Sequence, residues 1–352
     1  MNQTILQAAT GETMKRAFAP ARVDRHTLSS RVAQTIAVLV LVAMLAMPWW
    51  AGSGSVRWAI ELSCLIAIAQ MWNLLAGYAG LVSVGQQAFI GASAYFMFVL
   101  ASNFGVNPFL AVGLCLALPA LLAVPTYGLL HRLDGPYFSI GTWVVAEALR
   151  LLTSNLDYVN AGAGLTLRVL AKYSLHEREV AIVTLCVIML LVTVGGSYLL
   201  LRSRYGLALT AMRDNPVAAE SQGVNVKRLR FLIYVAAAVG TGLAGAIYYL
   251  AQLRITPSSG YDPNWASICI FIVMVGGIGS IEGPIIGALI YFFADRYFSQ
   301  YGAIYMVILG ILTLFMALYA RSGIWGLYCR FFDAAWFPVG RKLIRQSDEG
   351  RS

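Results

Sequence analysis

Val180-Ala-Ile-Val-Thr-Leu-Cys-Val-Ile-Met-Leu-Leu-Val-Thr-Val-Gly-Gly-Ser-Tyr-Leu-Leu-Leu201 runs without a single charge. A bilayer core about 30 Å thick takes ~20 apolar residues as a helix, so this stretch reads as a transmembrane helix. Val32–Trp50, Pro108–Leu130, Leu229–Leu250 and Ala303–Ala320 are blocks of the same kind. Shorter apolar blocks between them bring the expected spans to about ten: 32–50, 56–78, 88–103, 107–130, 137–154, 179–201, 229–252, 265–279, 283–300 and 302–320. The expected fold class is an all-α integral membrane protein. Val32–Trp50 is expected to stay as a span and not to be cleaved as a signal.

Composition agrees. The chain has 352 residues, 59% hydrophobic and 12% charged, with a mean hydropathy of +0.72. A soluble domain carries roughly 25% charged residues, so a water-covered globule of this size is excluded. The net charge of +9 would suggest nucleic acid in a soluble protein. Here it reads as the positive-inside rule, and no nucleic-acid partner is expected. Lys15, Arg16, Arg22, Arg25 and Arg31 precede the first span. Arg202, Arg204, Arg213, Lys227, Arg228 and Arg230 surround one central loop, and Arg321, Arg330, Arg341, Lys342, Arg345 and Arg351 follow the last span. An even number of spans with both termini in the cytoplasm puts all of these inside. The layout is a basic tail over 1–31, a membrane domain over 32–320 with an inner loop at 202–228, and a second basic tail over 321–352. The loop at 154–178 lies outside on this topology, with its apolar Leu165–Leu170 stretch along the interface. The five cysteines are scattered without a C-x-x-C pair, so no metal site is expected.

The inner loop contains Met212-Arg-Asp-Asn-Pro-Val-Ala-Ala-Glu-Ser-Gln-Gly223. Asn215 is a good N-cap, Pro216 suits the first helical position, and Gly223 suits the left-handed residue that ends a helix. A short helix over 216–222 is expected. It could be a connector resting on lipid headgroups, or a rigid element that seats in a groove of an ATPase.

A wider set of motifs bears on that choice. Arg204-Tyr-Gly-Leu-Ala-Leu-Thr-Ala-Met-Arg-Asp-Asn215 with Ala218-Ala-Glu-Ser-Gln-Gly-Val-Asn225 resembles the cytoplasmic coupling loop of the branched-chain amino-acid ABC permeases. Asn73-Leu-Leu-Ala-Gly-Tyr-Ala-Gly-Leu-Val-Ser-Val-Gly-Gln-Gln-Ala-Phe-Ile-Gly91 resembles that family's early glycine-rich segment. Gly135-Pro-Tyr-Phe-Ser-Ile-Gly-Thr142 with Ala146-Glu-Ala-Leu-Arg150 resembles its fifth span, and Val275-Gly-Gly-Ile-Gly-Ser-Ile-Glu-Gly-Pro-Ile-Ile-Gly-Ala288 its late glycine-rich segment. Their order is similar to that of the LivM-type subunit. The family's proline before its terminal Gly-Leu motif is missing near Arg321-Ser-Gly-Ile-Trp-Gly-Leu327.

The resemblance implies a permease of a bacterial inner membrane that moves branched-chain amino acids. It implies a second permease subunit in a heterodimer, two ATP-binding subunits and a periplasmic substrate-binding protein. ATP would be held by the partner subunits, so this chain would bind no cofactor. Arg213, Asp214, Asn215, Pro216, Ala219, Glu220 and Gly223 would couple to the ATPase. The same family includes carriers of urea and short amides.

Polar residues within spans are candidates for the translocation path. Asn73, Gln86 and Gln87 flank the Gly77–Gly85 break, which contains Gly80. These amides could bond across helices, or bind a zwitterion together with freed backbone groups. Glu147 and Arg150 stand at i,i+3 and can pair, either to satisfy one another or to line the path. A weak internal repeat, Gly91-Ala-Ser-Ala-Tyr95-Phe96 and Gly287-Ala-Leu-Ile-Tyr291-Phe292, follows each glycine-rich break.

An intramembrane serine enzyme needs a base beside its nucleophile. The histidines are His26, His131 and His176, all at span ends or outside spans. Neither H-E-x-x-H nor a phosphate loop is present. An ion-coupled carrier is the remaining rival, and it has no need of the inner-loop helix.

Overall fold

The computed structural model describes residues 21–24, 28–320, 322–332, 336–337 and 342–345. Both chain termini lie outside the described residues, as do Lys15, Arg16, Arg25, Arg321, Arg341 and Arg351 of the expected basic tails. One small unit holds an antiparallel pair of strands, β1 (Ala21–Asp24) and β4 (Lys342–Arg345), with Ala21 opposite Arg345.

The larger unit, residues 38–333, is helical. After α1 (Leu28–Trp50), α2 (Ser53–Asn73) runs on into a π-turn at Leu74–Tyr78. The chain then leaves helical form until α3 (Gln87–Ser102). α4 (Pro108–Leu114), α5 (Ala117–Leu130) and α6 (Pro136–Ser154) follow. α7 (Leu175–Leu190) passes through a second π-turn at Leu191–Gly195 into α8 (Gly196–Arg202). α9 (Arg204–Asp214) and α10 (Pro216–Ser221) form the central loop before α11 (Val226–Gln252). The one-turn α12 (Pro257–Gly260), then α13 (Asn264–Gly276), α14 (Glu282–Phe298), α15 (Ala303–Tyr319) and α16 (Gly323–Phe332) complete it.

Each expected span has a helix at its place. Five stretches are long and apolar enough to cross a membrane: Val32–Trp50, Ser53–Tyr78, Pro108–Leu130, Leu175–Arg202 and Val226–Gln252. α15 and α16, bent by 46°, make a sixth if they count as one span. The helices at the other expected places are shorter or more polar. The outer faces of α1 and α15 present Leu39, Val40, Val307 and Ile311, all more than half exposed, which suits contact with lipid.

α2 and α11 are the most buried long helices. Water does not drive apolar helices together inside a bilayer, so close backbone approach matters more. α11 supplies it through small residues. A side chain grown on Gly245 would start 2.7 Å from the Ile90 Cα of α3, and one on Gly242 would strike Ser93 and Pro119. The small-residue stripe of α11 is therefore a packing surface.

The Leu165–Leu170 stretch carries structure that its sequence did not announce. It is built into the protein by backbone pairing. β2 (Leu165–Thr166) pairs antiparallel with β3 (Arg254–Ile255), and the Leu167 amide donates to the Leu253 carbonyl at 2.9 Å. Leu167 and Leu170 are buried, which takes these apolar residues into the protein core.

Candidate functional site

The central loop is a chain of caps. Ser203 Oγ accepts from the Tyr205 amide at 3.1 Å and starts α9. Asn215, with φ −155° and ψ 102°, ends α9 and accepts from the Ala218 amide at 3.0 Å, with Pro216 at the first helical position of α10. Gly223, at φ +87°, closes α10. Its amide donates to Glu220 O at 3.0 Å and the Val224 amide to Ala219 O at 3.1 Å, the pattern of a Schellman end. Asn225 then accepts from the Arg228 amide at 2.9 Å and opens α11. Within α10 only Ala219 is buried. Val217 is 77% exposed and Glu220 also faces outward. The result is a short, sharply bounded helix anchored at one point and bare elsewhere.

The second region is the pair of glycine-rich breaks. Asn73 is fully buried, and its side chain closes a clasp on the distant turn between α13 and α14. Its Oδ1 accepts from the Gly279 amide at 2.8 Å, and its Nδ2 donates to the Ser280 carbonyl at 2.7 Å. Gly77, inside the π-turn, packs on the same turn: a side chain there would start 2.7 Å from Gly279 N. The non-helical segment after the π-turn is bonded to its neighbours. Trp72 Nε1 donates to Ser83 O at 2.7 Å, the Val84 amide to Thr142 Oγ1 at 3.0 Å, and Ser139 Oγ to Val82 O at 2.6 Å. Irregular backbone at this depth is tolerated because protein groups satisfy it.

Gln86 Oε1 accepts from Thr241 Oγ1 at 3.2 Å, and Gln87 Nε2 donates to Val84 O at 3.0 Å. The other amide atom of each, and both of Gln70, are buried without a hydrogen-bond partner. Gly80 takes φ +70° and faces open space. Asn73, Gly80, Gln86 and Gln87 thus all belong to the first break and its flanks. Glu147 and Arg150 do not join them. They form an ion pair on α6, with Arg150 Nε 2.9 Å from Glu147 Oε2 and side chains 31% and 41% exposed for Arg150 and Glu147. The buried face of α6 is Phe138, Thr142, Ala146 and Thr153.

Trp72, Thr241, Gly279 and Ser280 are not marked in the sequence as partners of the break. Ser139 and Thr142 carried a signal: two hydroxyls at i,i+3 in an otherwise apolar helix start.

Arg213 connects the two regions. Its Nε lies 3.7 Å from Asp214 Oδ1, and its Nη1 lies where a side chain on Gly279 would start 2.8 Å away. Among the described residues no group of three or more metal-type ligands converges.

A family model described as branched-chain amino acid transport system / permease component matches residues 54–317. The high-affinity branched-chain amino acid transport system permease protein LivM of Escherichia coli K12 is 23% identical, covering 86% of this chain and 76% of the relative. A probable branched-chain amino acid transport permease protein, LivH, of Methanocaldococcus jannaschii is 25% identical, covering 68% and 82%. The ribose import permease protein RbsC of Escherichia coli K12 is 27% identical, covering 60% and 68%. No solved structure matches.

Proposed function

Because the chain belongs to the branched-chain amino acid transport permease family, we propose that it is the LivM-type membrane subunit of an ATP-driven importer of branched-chain amino acids. It is a permease component and not an enzyme, as its relatives are. On this proposal the ten helical segments cross a bacterial inner membrane with both termini in the cytoplasm. A paralogous permease completes a heterodimer, two ATP-binding subunits hold the ATP, and a periplasmic protein delivers the substrate. The observation that carries the proposal is α10, a helix capped at both ends and bare over most of its surface. Such a body suits a groove on a soluble partner and moves as one piece. Asp214, Asn215, Pro216, Ala219, Glu220 and Gly223 form or brace it, and Arg213 lies in the last turn of the helix before it. The first break, with Asn73, Gly80, Gln86 and Gln87, is the proposed translocation path. The exposed Glu147–Arg150 pair would line that path from the face turned towards the second permease, since an ion pair facing lipid is costly.

A tagged chain is solubilised from native membranes and its companions are identified by mass spectrometry. Recovery of a second permease and ATP-binding subunits is expected. Recovery of the chain alone, in a detergent shown to preserve such complexes, would point to an ion-coupled carrier.

A further inference from the structure

We infer that Arg213 acts inward, as the positioning residue through which α10 moves the two glycine-rich breaks, and not as a contact to the ATPase; this rests on the permease reading above.

Arg213 stands in the last turn of α9, two residues before the cap of α10. Asn215 holds both helices: its amide donates to Ala211 O at 3.0 Å and its side chain accepts from Ala218 at 3.0 Å. α10 therefore cannot shift without carrying the backbone of Arg213. The guanidinium lies against Gly279. Approach that close is possible because Gly279 has no Cβ and sits at φ +75°. The nearest carboxylate, Asp214, is at 3.7 Å, too long for a charge-assisted hydrogen bond. The guanidinium, its side chain 43% exposed, rests against the glycine turn and not in a close ion pair.

On the turn's other side Asn73 holds Gly279 N and Ser280 O, and Gly77 packs against Gly279 N. Arg213, the Gly279–Ser280 turn, Asn73 and the π-turn are thus consecutive contacts. One displacement of α10 reaches the second break directly and the first through Asn73. A planar guanidinium lies flat against a backbone turn, and the compact, strongly hydrated ammonium of lysine does not.

The test uses the complete complex in proteoliposomes with its binding protein, measuring labelled leucine uptake and ATP hydrolysis in parallel. In Arg213→Ala, leucine taken up per ATP hydrolysed is expected to fall about fivefold or more, with stimulated hydrolysis within about twofold of wild type. An unchanged ratio, or uptake and hydrolysis falling together, overturns the inference. Should Arg213→Ala fail to assemble, Arg213→Lys carries the same test, with a lowered ratio expected and an unchanged one overturning it. Amide exchange on the detergent-solubilised chain needs neither substrate nor ATPase, so it separates this inference from the importer proposal. Faster exchange at Gly279 in the variant supports the tie, and equal exchange overturns it.

Discussion

Asn73 shows how much one amide can hold. Both ends of its side chain are committed to backbone groups of a turn 206 and 207 residues away. Asn73→Ala leaves the part-buried Gly279 amide and Ser280 carbonyl without that partner. A buried donor or acceptor left unpaired costs about 1–3 kcal/mol. We expect thermal or denaturant unfolding in detergent to show a loss of about 2–3 kcal/mol. A loss under about 0.5 kcal/mol, the scale of an ordinary surface change, would mean that the clasp is incidental. The sequence marks Asn73 as a polar residue in an apolar run, but not as a clasp. Its partners are backbone groups of a turn that could sit beside any of several helices. Gly279 and Ser280 carry no side-chain signal for it. The bare arms of Gln70, Gln86 and Gln87 are a related debt: desolvated amides of this kind favour any rearrangement that pairs or hydrates them.

Helices whose ends are set by local chemistry were the most legible elements. Asn215, Pro216 and Gly223 bound a helix within a few residues, and the structure ends it at Ser221, one residue short of expectation. Asn215→Ala removes the bond to Ala218 and should cost about 1 kcal/mol of local helix stability. It would appear as faster exchange at Ala218, with the long helices unchanged. Glu220→Pro is harsher, because proline inside a helix costs about 3 kcal/mol. On the importer proposal, cells holding the fully inserted variant should lose leucine uptake, and normal uptake would discard α10 as the coupling element. The β2–β3 ladder was not legible. Two residues per strand give no periodicity, and Leu165 and Leu167 look equally suited to lipid and to a protein interior. Glu147–Arg150 was legible as a pair, since i,i+3 spacing is enough. Its separation from the break was not, because spacing along one helix says nothing about which neighbours cover which face.

At the scale of the molecule, charge bias along the sequence led to a sidedness that the proposed topology retains. It puts α10 in the cytoplasm and the 154–173 segment outside. Val217, 77% exposed, and Tyr158, 67% exposed, are suitable reporters. In a background with its cysteines replaced, Val217→Cys should react with a membrane-impermeant maleimide only from the cytoplasmic side. Tyr158→Cys should react only from the opposite side. Labelling of both from one face would reverse the topology. The long apolar runs announced a membrane protein plainly. The meeting of the two glycine-rich breaks came only with the folded chain, since it depends on how α2 and α14 are brought side by side.

The π-turn at Leu74–Tyr78 has a further consequence. A π-turn accommodates an extra residue within an otherwise α-helical run. A residue removed within 74–78 can be absorbed by reverting to ordinary helix, with the packing of 53–73 untouched. The same loss earlier in the helix would rotate every later side chain by about 100°, swinging Asn73 off its turn. Length variation among homologous chains should therefore gather in that window, and the matching position at Leu191–Gly195 should behave alike.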